Sequence, residues 1–498
     1  MARGPPWGAV LARILTNGEA GGMPPMTYFE GGVSVVRSVG WLFPAHSRTS
    51  LPTIRPFRGL RYEPDAVGDL ARVVSPPYDV ISPPEQRALL ARHPRNAVRL
   101  DFPPLEPGDR PDDQYRRAAR AFAQWRSDGT FHKDPRPSLY VYEQTYRVPG
   151  TAVERTQRGF FGRLRLESFG EGSGVLPHER TMTAPKEDRY KLLRATGANT
   201  SAAVGLFRDQ SGRASELLER VAKRKPDVDL VDGEGIHHRL WVLPEPPADS
   251  PDDGVTDRTV AELVRLANAG PVTIADGHHR YETALRYREE RRMTLSCEED
   301  PAFDYILMLF LEATHEPLTI LPTHRVVRAL EGDASGARLL QGTAALFDVR
   351  SAARGELLAA FGGEGLGPGG RGSFGLWTRE GGAFLEARRE MFGRWLPPGG
   401  EAVRHLDVSL LGVALEQLAR IAASDLAAGE RVGYTKSVGE ALDWVDSGAD
   451  GADAAFLLEP TPVRDVLAVA TEGDVMPQKS TYFYPKALTG LVINPLEW

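Results

Sequence analysis

One stretch limits what this chain can fold into more than any other: Val272-Thr273-Ile274-Ala275-Asp276-Gly277-His278-His279-Arg280-Tyr281-Glu282-Thr283-Ala284. The β-branched residues at its start read as a short buried strand, Pro271 to Ala275. Asp-Gly then turns the chain, and Gly277 permits both a tight turn and close approach of a ligand to the backbone. A helix from about His279 to Met293 follows, with Tyr281, Ala284 and Leu285 on its buried stripe. Asp276 reads as its cap, and Glu282 and Arg286 have the i,i+4 spacing of an ion pair. The start of a helix presents N–H groups and the positive end of its dipole. His278, His279 and Arg280 add donors at the same place, and phosphate is the anion that suits such a set. The plainer alternative is a capped helix whose histidines are satisfied polar groups. A zinc site fits worse, because adjacent histidines point apart and no i,i+4 His or nearby Cys completes a ligand set.

The chain has 498 residues, enough for about three ordinary domains or two large ones. Hydrophobic residues at 41% and charged residues at 26% supply sizeable cores. A net charge of -7 gives no global field for nucleic acid or an anionic membrane. The single cysteine, Cys297, excludes an intramolecular disulfide and a Cys-rich zinc site. It sits in a charged run, reads as an incidental surface thiol, and fits a reducing compartment. The longest apolar run, Tyr305 to Leu311, is far shorter than the roughly 20 residues of a membrane span and reads as a buried strand. The expectation is a cytoplasmic protein with a small-molecule substrate, no membrane partner and no nucleic acid.

Residues 1–53 hold Arg3, Arg13, Arg37 and Arg48 but no Lys. They read as a dispensable, disordered extension, with a transit peptide or a later start at Met23 or Met26 as alternatives. Ser82-Pro83-Pro84-Glu85 is a helix start, and 113–127 is an amphipathic helix. Leu139 to Arg147 and Gln157 to Leu166 read as a hairpin with Gly150 between them. A helix and strand follow over 217–231, then a strand at Ile236 to Leu243, a linker over 244–256, a helix at Val260 to Ala269, and a strand over 304–312. Gly365, Gly367 and Gly370 match G-x-G-x-x-G formally, but Pro368 lies inside the match and no strand–turn–helix frames it. Tyr434 stands where a P-loop over 429–437 would need its second glycine.

Other polar clusters belong to the same argument. Asp79, held rigid after Pro76-Pro77, is the carboxylate best suited to a catalytic or magnesium role, or else a turn cap. His178-Glu179-Arg180-Thr181 through Arg189 reads as a loop because of Pro177 and Pro185. It offers Glu179 as a base and Arg180, Lys186 and Arg189 as cations, or else is a solvated surface. Lys479, Ser480 and Thr481 form a phosphate-binding type of cluster, or else an edge strand. Thr323-His324-Arg325 reads as a loop that follows a buried strand and reaches a site.

The Asp276–Arg280 turn resembles the signature of the ParB/sulfiredoxin-like superfamily, in which a Gly-x-His-Arg or Gly-Glu-Arg-Arg turn holds nucleotide phosphates at a helix start. Members include CTP-binding partition proteins, sulfiredoxins and free-serine kinases. Sulfiredoxin chemistry needs a Cys where His278 stands. The wider sequence resembles the DUF1015 family over roughly 54–498. The segments are Ser75 to Ile81, Arg95-Asn96 with Arg99-Leu100, His178 to Thr181, Pro185 to Arg189, Ala275 to Tyr281, Leu321 to Arg325 and Met476 to Lys486.

This resemblance implies an α/β (mixed α+β) fold, with a ParB/sulfiredoxin-like core over 251–330 between an N-terminal region at 54–250 and a C-terminal region at 331–498. It implies phosphoryl transfer to a small hydroxyl metabolite, free serine first, from ATP, ADP or pyrophosphate with Mg²⁺. Expected catalytic residues are Asp79, Glu179, Asp276 and His278. Gly277, His278, His279, Arg280, Lys186, Arg189, Lys479, Ser480 and Thr481 are expected to bind phosphate or nucleotide. Tyr78, His324 and Arg325 are expected to bind substrate, and Asp276 to bind Mg²⁺. The rivals are a ParB-like nucleotide-gated regulator that associates with DNA, and a phosphatase using the same site.

Overall fold

The computed structural model describes residues 50–181, 183–246, 256–294, 299–328, 330, 336–363, 370–396, 398–429 and 431–496. The expected extension at 1–49, most of the 244–256 linker, Cys297, Gly365 and Gly367 lie outside the described residues. Ser50 to Thr53 are described: Ser50 N–H donates to Gly172 O at 2.7 Å, and Arg165 N–H donates to Thr53 O at 2.9 Å.

The fold is mixed α/β. Among the described residues, nine strands form the main sheet. They are β1 (Ile54–Arg55), β2 (Ser138–Arg147), β3 (Glu154–Arg165), β4 (Val175–Leu176), β5 (Ala203–Phe207), β6 (Val228–Val231), β7 (His237–Pro244), β8 (Val272–Asp276) and β9 (Tyr305–Glu312). Their order is β4-β8-β5-β9-β3-β2-β7-β6, with β1 also beside β3. The pairs β4–β8 and β5–β9 are parallel and the others antiparallel. β2 and β3 form the expected hairpin, in register from Tyr140↔Phe161 to Arg147↔Glu154. β9 is buried along its whole length, which is why its sequence is continuously apolar rather than alternating.

The longer helices of this part are α1 (Pro83–Arg92), α2 (Asp113–Ser127), α3 (Thr183–Thr196), α4 (Arg213–Ala222), α5 (Thr256–Ala267) and α6 (His278–Thr294). α1 begins at the expected helix start, where Ser82 and Glu85 form a capping box: Ser82 N–H donates to Glu85 at 2.7 Å, and Glu85 N–H to Ser82 Oγ at 3.4 Å. α2 buries Tyr115, Ala118, Phe122 and Trp125 of the expected face, while Ala119, expected with them, is only partly buried. α3 corrects the reading of 178–189 as a loop throughout. Pro185 falls in its first turn, where the missing N–H has no helical partner to lose. α3 and α6 pack side by side. The expected Glu282–Arg286 pair does not form, because α3 competes for both: Lys186 Nζ lies 2.8 Å from Glu282 and Arg286 Nη1 lies 2.6 Å from Glu187.

The C-terminal part contributes β10 (Thr319–Leu321), β11 (His324–Arg328), β12 (Phe347–Ala352), β13 (Ser373–Thr378), β14 (Gly381–Ala387), β15 (Val432–Thr435), β16 (Ala452–Leu457) and β17 (Tyr482–Tyr484). An antiparallel sheet runs β12-β14-β13-β16-β11-β15, while β10 pairs with β17. His324 and Arg325, expected in a loop, therefore lie in β11. α7 (Asp407–Ala419) buries Leu410 and Leu411 in the same core as Phe374, Leu376 and Leu385. α8 (Val438–Ser447) packs Ala441, Leu442 and Val445 with Val326, Ala455 and Leu457 in a second core. The last segment then returns to the first sheet. Met476 N–H donates to His178 O at 2.7 Å, Ile493 N–H to Leu60 O at 2.9 Å, and Asn494 pairs with Asn199.

Candidate functional site

The turn between β8 and α6 carries the densest polar cluster. Gly277 has φ +85°, and a Cβ there would sit 2.9 Å from Arg280 Nε and 3.0 Å from Ala203. Only glycine combines that backbone conformation with that contact. Asp276, at the end of β8, receives Lys486 Nζ on Oδ1 at 2.5 Å and Arg280 Nη2 on Oδ2 at 2.6 Å. Its carboxylate therefore faces two cations rather than capping α6. Burial opposes its ionisation, but Lys486 and Arg280 reverse this and hold the carboxyl well below the usual range.

Arg280 has a side chain only 9% exposed. Besides Asp276 it donates to the carbonyl of Ala202 and lies 3.7 Å from Asp79 Oδ2. Burial works against its charge, and Asp79 and Asp276 outweigh it, so the guanidinium is more firmly protonated than usual. Tyr78 lies beside it, with Arg189 Cζ 3.8 Å and Arg280 Cζ 6.0 Å from the ring centre. Arg189 is buried and donates to Asp188 and to the carbonyl of Asp101. Asp101 accepts from Thr200 Oγ1 at 2.8 Å, Ser201 Oγ at 2.9 Å and Tyr78 N–H at 3.2 Å. This web fixes the Pro76-Pro77-Tyr78-Asp79 turn against the start of α6.

Two histidines are built into the floor. His178 Nδ1 pairs with the carbonyl of Ile274, which obliges it to donate, so Nε2 accepts from Thr481 Oγ1 at 3.0 Å. His178 N–H in turn donates to His278 Nε2 at 3.2 Å. Burial brings His178 down to about 4 and puts His278 well below the ordinary histidine value. Both rings are neutral at physiological pH, so His278 brings no positive charge to an anion.

The open side of the cluster holds Asp79, Glu179, Lys186, His279, Glu282 and Lys479. Glu179 Oε1 accepts from Lys479 N–H at 3.1 Å. Burial raises Glu179 to about 7 against the opposing pull of Lys479. Burial lowers His279, opposed by Glu282 and Asp79 and reinforced by Lys479 and Lys186. Lys479 takes a left-handed conformation, φ +58°, and its carbonyl accepts from Arg325 Nη2 at 3.4 Å. Arg325 is buried at 4% exposure and also donates to Thr323 O at 2.5 Å. Ser480 Oγ donates to Pro477 O at 2.5 Å. His324 is fully buried in the C-terminal sheet, where Nδ1 accepts from Leu458 N–H at 3.3 Å and burial lowers its pKa to about 3.

The fold thus brings together Tyr78, Asp79, Glu179, Lys186, Arg189, Asp276–Arg280, Lys479 and Thr481, with Arg325 behind Lys479. Ser480 and His324 turn inward to other partners. Sequence reasoning gave no role to Lys486, Asp101 or His178, although each anchors a charge or ring of the cluster. A lysine after the aromatic run Tyr482-Phe483-Tyr484-Pro485 carries no signal of a partner so far away in sequence. Asp276 also fits Mg²⁺ poorly, since both of its oxygens are engaged by cations. Among the described residues, no group of three or more His, Cys, Asp or Glu could hold a metal ion, and no helix is long and apolar enough to cross a membrane.

No curated protein matches the chain. Solved structures overlap it loosely. A free serine kinase in complex with AMP is 10% identical, covering 62% of this chain and 83% of that one, with a TM-score of 0.31. A conserved hypothetical protein from Pyrococcus furiosus is 12% identical over 62% and 87%, with a TM-score of 0.29. SbnI with a C-terminal truncation, from Staphylococcus aureus, is 10% identical over 64% and 82%, with a TM-score of 0.28. Overlaps of this size carry no argument about activity. The model of the family described as "Protein of unknown function (DUF1015)" matches residues 54–409, which hold the β8–α6 turn but not Lys479 or Lys486, and by that match the chain belongs to the DUF1015 family.

Proposed function

We propose that the chain is a phosphotransferase acting on a small hydroxyl metabolite, with free serine as the first acceptor to try and a nucleotide or pyrophosphate as donor. The observation that carries this reading is Glu179: a carboxyl raised to about 7, bonded to Lys479 and adjoining the Asp276–Lys486–Arg280 clamp. A base of that strength is matched to neutral pH. The ParB/sulfiredoxin-like resemblance of the 276–280 turn supports phosphate at the same place.

In this reading Glu179 takes the proton of the acceptor hydroxyl. The hydroxyl oxygen forms a bond to the transferred phosphorus as the donor's bridging P–O bond breaks. Lys479 and Lys186 offset the charge of the phosphoryl oxygens, with His279 as a neutral donor beside them. Asp276, Arg280, Tyr78 and Arg189 hold the turn and Asp79 in place. A divalent cation, where one is used, would add charge neutralisation on the donor phosphates, and Asp79, 32% exposed, is the carboxylate open to it.

The test is a coupled assay of phosphoserine formation with ATP, ADP and pyrophosphate in turn. Glu179→Gln should stay folded, melting no lower than wild type at neutral pH, and lower kcat by about 10²–10⁴. No turnover with any of the three donors, or an unaltered kcat in the variant, would sink the reading.

A further inference from the structure

Two cavities lie beside the cluster. The larger has a volume of about 1000 Å³ and includes Leu321, Phe361 and Tyr484 in its wall. The smaller, about 300 Å³, lies against the 74–89 region and Leu488. Glu234, Lys436 and Tyr482 face both, so Lys436 stands at their junction.

Charge at that junction is unbalanced. Lys436 Nζ and Lys486 Nζ lie 3.9 and 4.5 Å from the centre of the Tyr482 ring. Lys486 is neutralised by Asp276, whereas no carboxylate among the described residues ion-pairs with Lys436. Burial lowers the Lys436 pKa, and Lys486 and Lys479 push it the same way against Glu234 and Glu440. An anion at Lys436 would relieve that repulsion. The smaller cavity adds an independent sign of a missing partner: Ser75 is 1% exposed, and its Oγ has no hydrogen-bond partner.

We propose that the two cavities form one cleft for a nucleotide, its phosphates at Lys436 and its aromatic base against Tyr484, Leu321 and Phe361. This rests on the phosphotransferase reading and deepens it, because it selects a nucleotide over pyrophosphate as donor. Pyrophosphate is charged throughout and has no use for an apolar wall. The larger cavity falls at the top of the roughly 300–1,000 Å³ range that encloses an organic ligand. Tyr482, which lines both cavities, also packs its ring against Lys486, the partner of Asp276.

Calorimetric titration of the full chain with ADP and with pyrophosphate tests this, using wild type and Lys436→Gln. Lys436 is exposed to the cleft, so the variant should melt as wild type does. ADP should bind at least tenfold more tightly than pyrophosphate, and Lys436→Gln should weaken ADP about tenfold or more, the loss of one charge-assisted contact. Equal affinity for the two ligands, no ADP binding, or an unchanged ADP affinity in the variant would overturn the cleft. The assay with Glu179→Gln separates the two readings. Lys436-dependent ADP binding with turnover that survives Glu179→Gln sinks the transfer mechanism alone. Glu179-dependent turnover with Lys436-independent ADP binding sinks the cleft alone.

Discussion

Lys486 Nζ donates to Asp276 Oδ1 at 2.5 Å across a separation of 210 positions in the chain. The pair is only 12% and 15% exposed, so each group depends on the other for its solvation. Lys486→Met should destabilise the fold by about 1.5–3 kcal/mol, the loss of a charge-assisted bond to a carboxylate that keeps only Arg280. Adding Asp276→Asn should recover part of that loss, so a double-mutant cycle by chemical denaturation should show strong coupling. Additive effects would mean that the two charges act separately. Because Asp276 is held low, its contribution is present above the unfolded carboxyl value of 3.8 and is lost only as pH falls towards its depressed folded value.

Arg280 joins Asp276, Asp79, Tyr78 and the carbonyl of Ala202. Arg280→Ala should therefore destabilise the protein by about 1.5–3 kcal/mol, since it removes charge-assisted bonds and leaves buried Asp276 with Lys486 alone. If Arg280 also touches phosphate, donor affinity should fall roughly ten- to hundredfold. Melting without ligand and calorimetric titration with ADP and pyrophosphate separate the two effects. A destabilised variant with unchanged donor affinity would make Arg280 a positioning residue only.

Glu179 has the opposite sign of pH linkage from Asp276. Its folded value, about 7, lies above the ordinary 4.5, so the folded state retains a proton that the unfolded state has released. This contribution to stability is full below about 4.5 and is lost as pH rises through about 7. Glu179→Gln should flatten the melting temperature against pH across that window and leave the variant the more stable of the two at pH 8. Parallel profiles for the two proteins would show that Glu179 titrates normally.

Much of the first sheet follows from local pattern. β-Branched and aromatic residues mark β2, β3, β7 and β8, and the capping box at Ser82 and the stripe of α2 arise from contacts within one helical turn or two. The Asp276-Gly277 turn is equally local, because a positive φ against Ala203 admits only glycine. Partners of the charges are not local. Glu282 and Arg286 have ideal spacing for each other, yet α3 lies against α6 and takes both. Asp276 reads as a helix cap, yet Lys486 and Arg280 solvate its carboxylate better than two N–H groups would. His278 reads as a donor to an anion, and burial instead leaves it a neutral ring that accepts from the backbone N–H of His178. Sequence by itself determined which residues could carry charge and where the chain turned. Tertiary structure alone decided which charges meet, because desolvation and Coulomb attraction act through space between segments that local periodicity cannot relate.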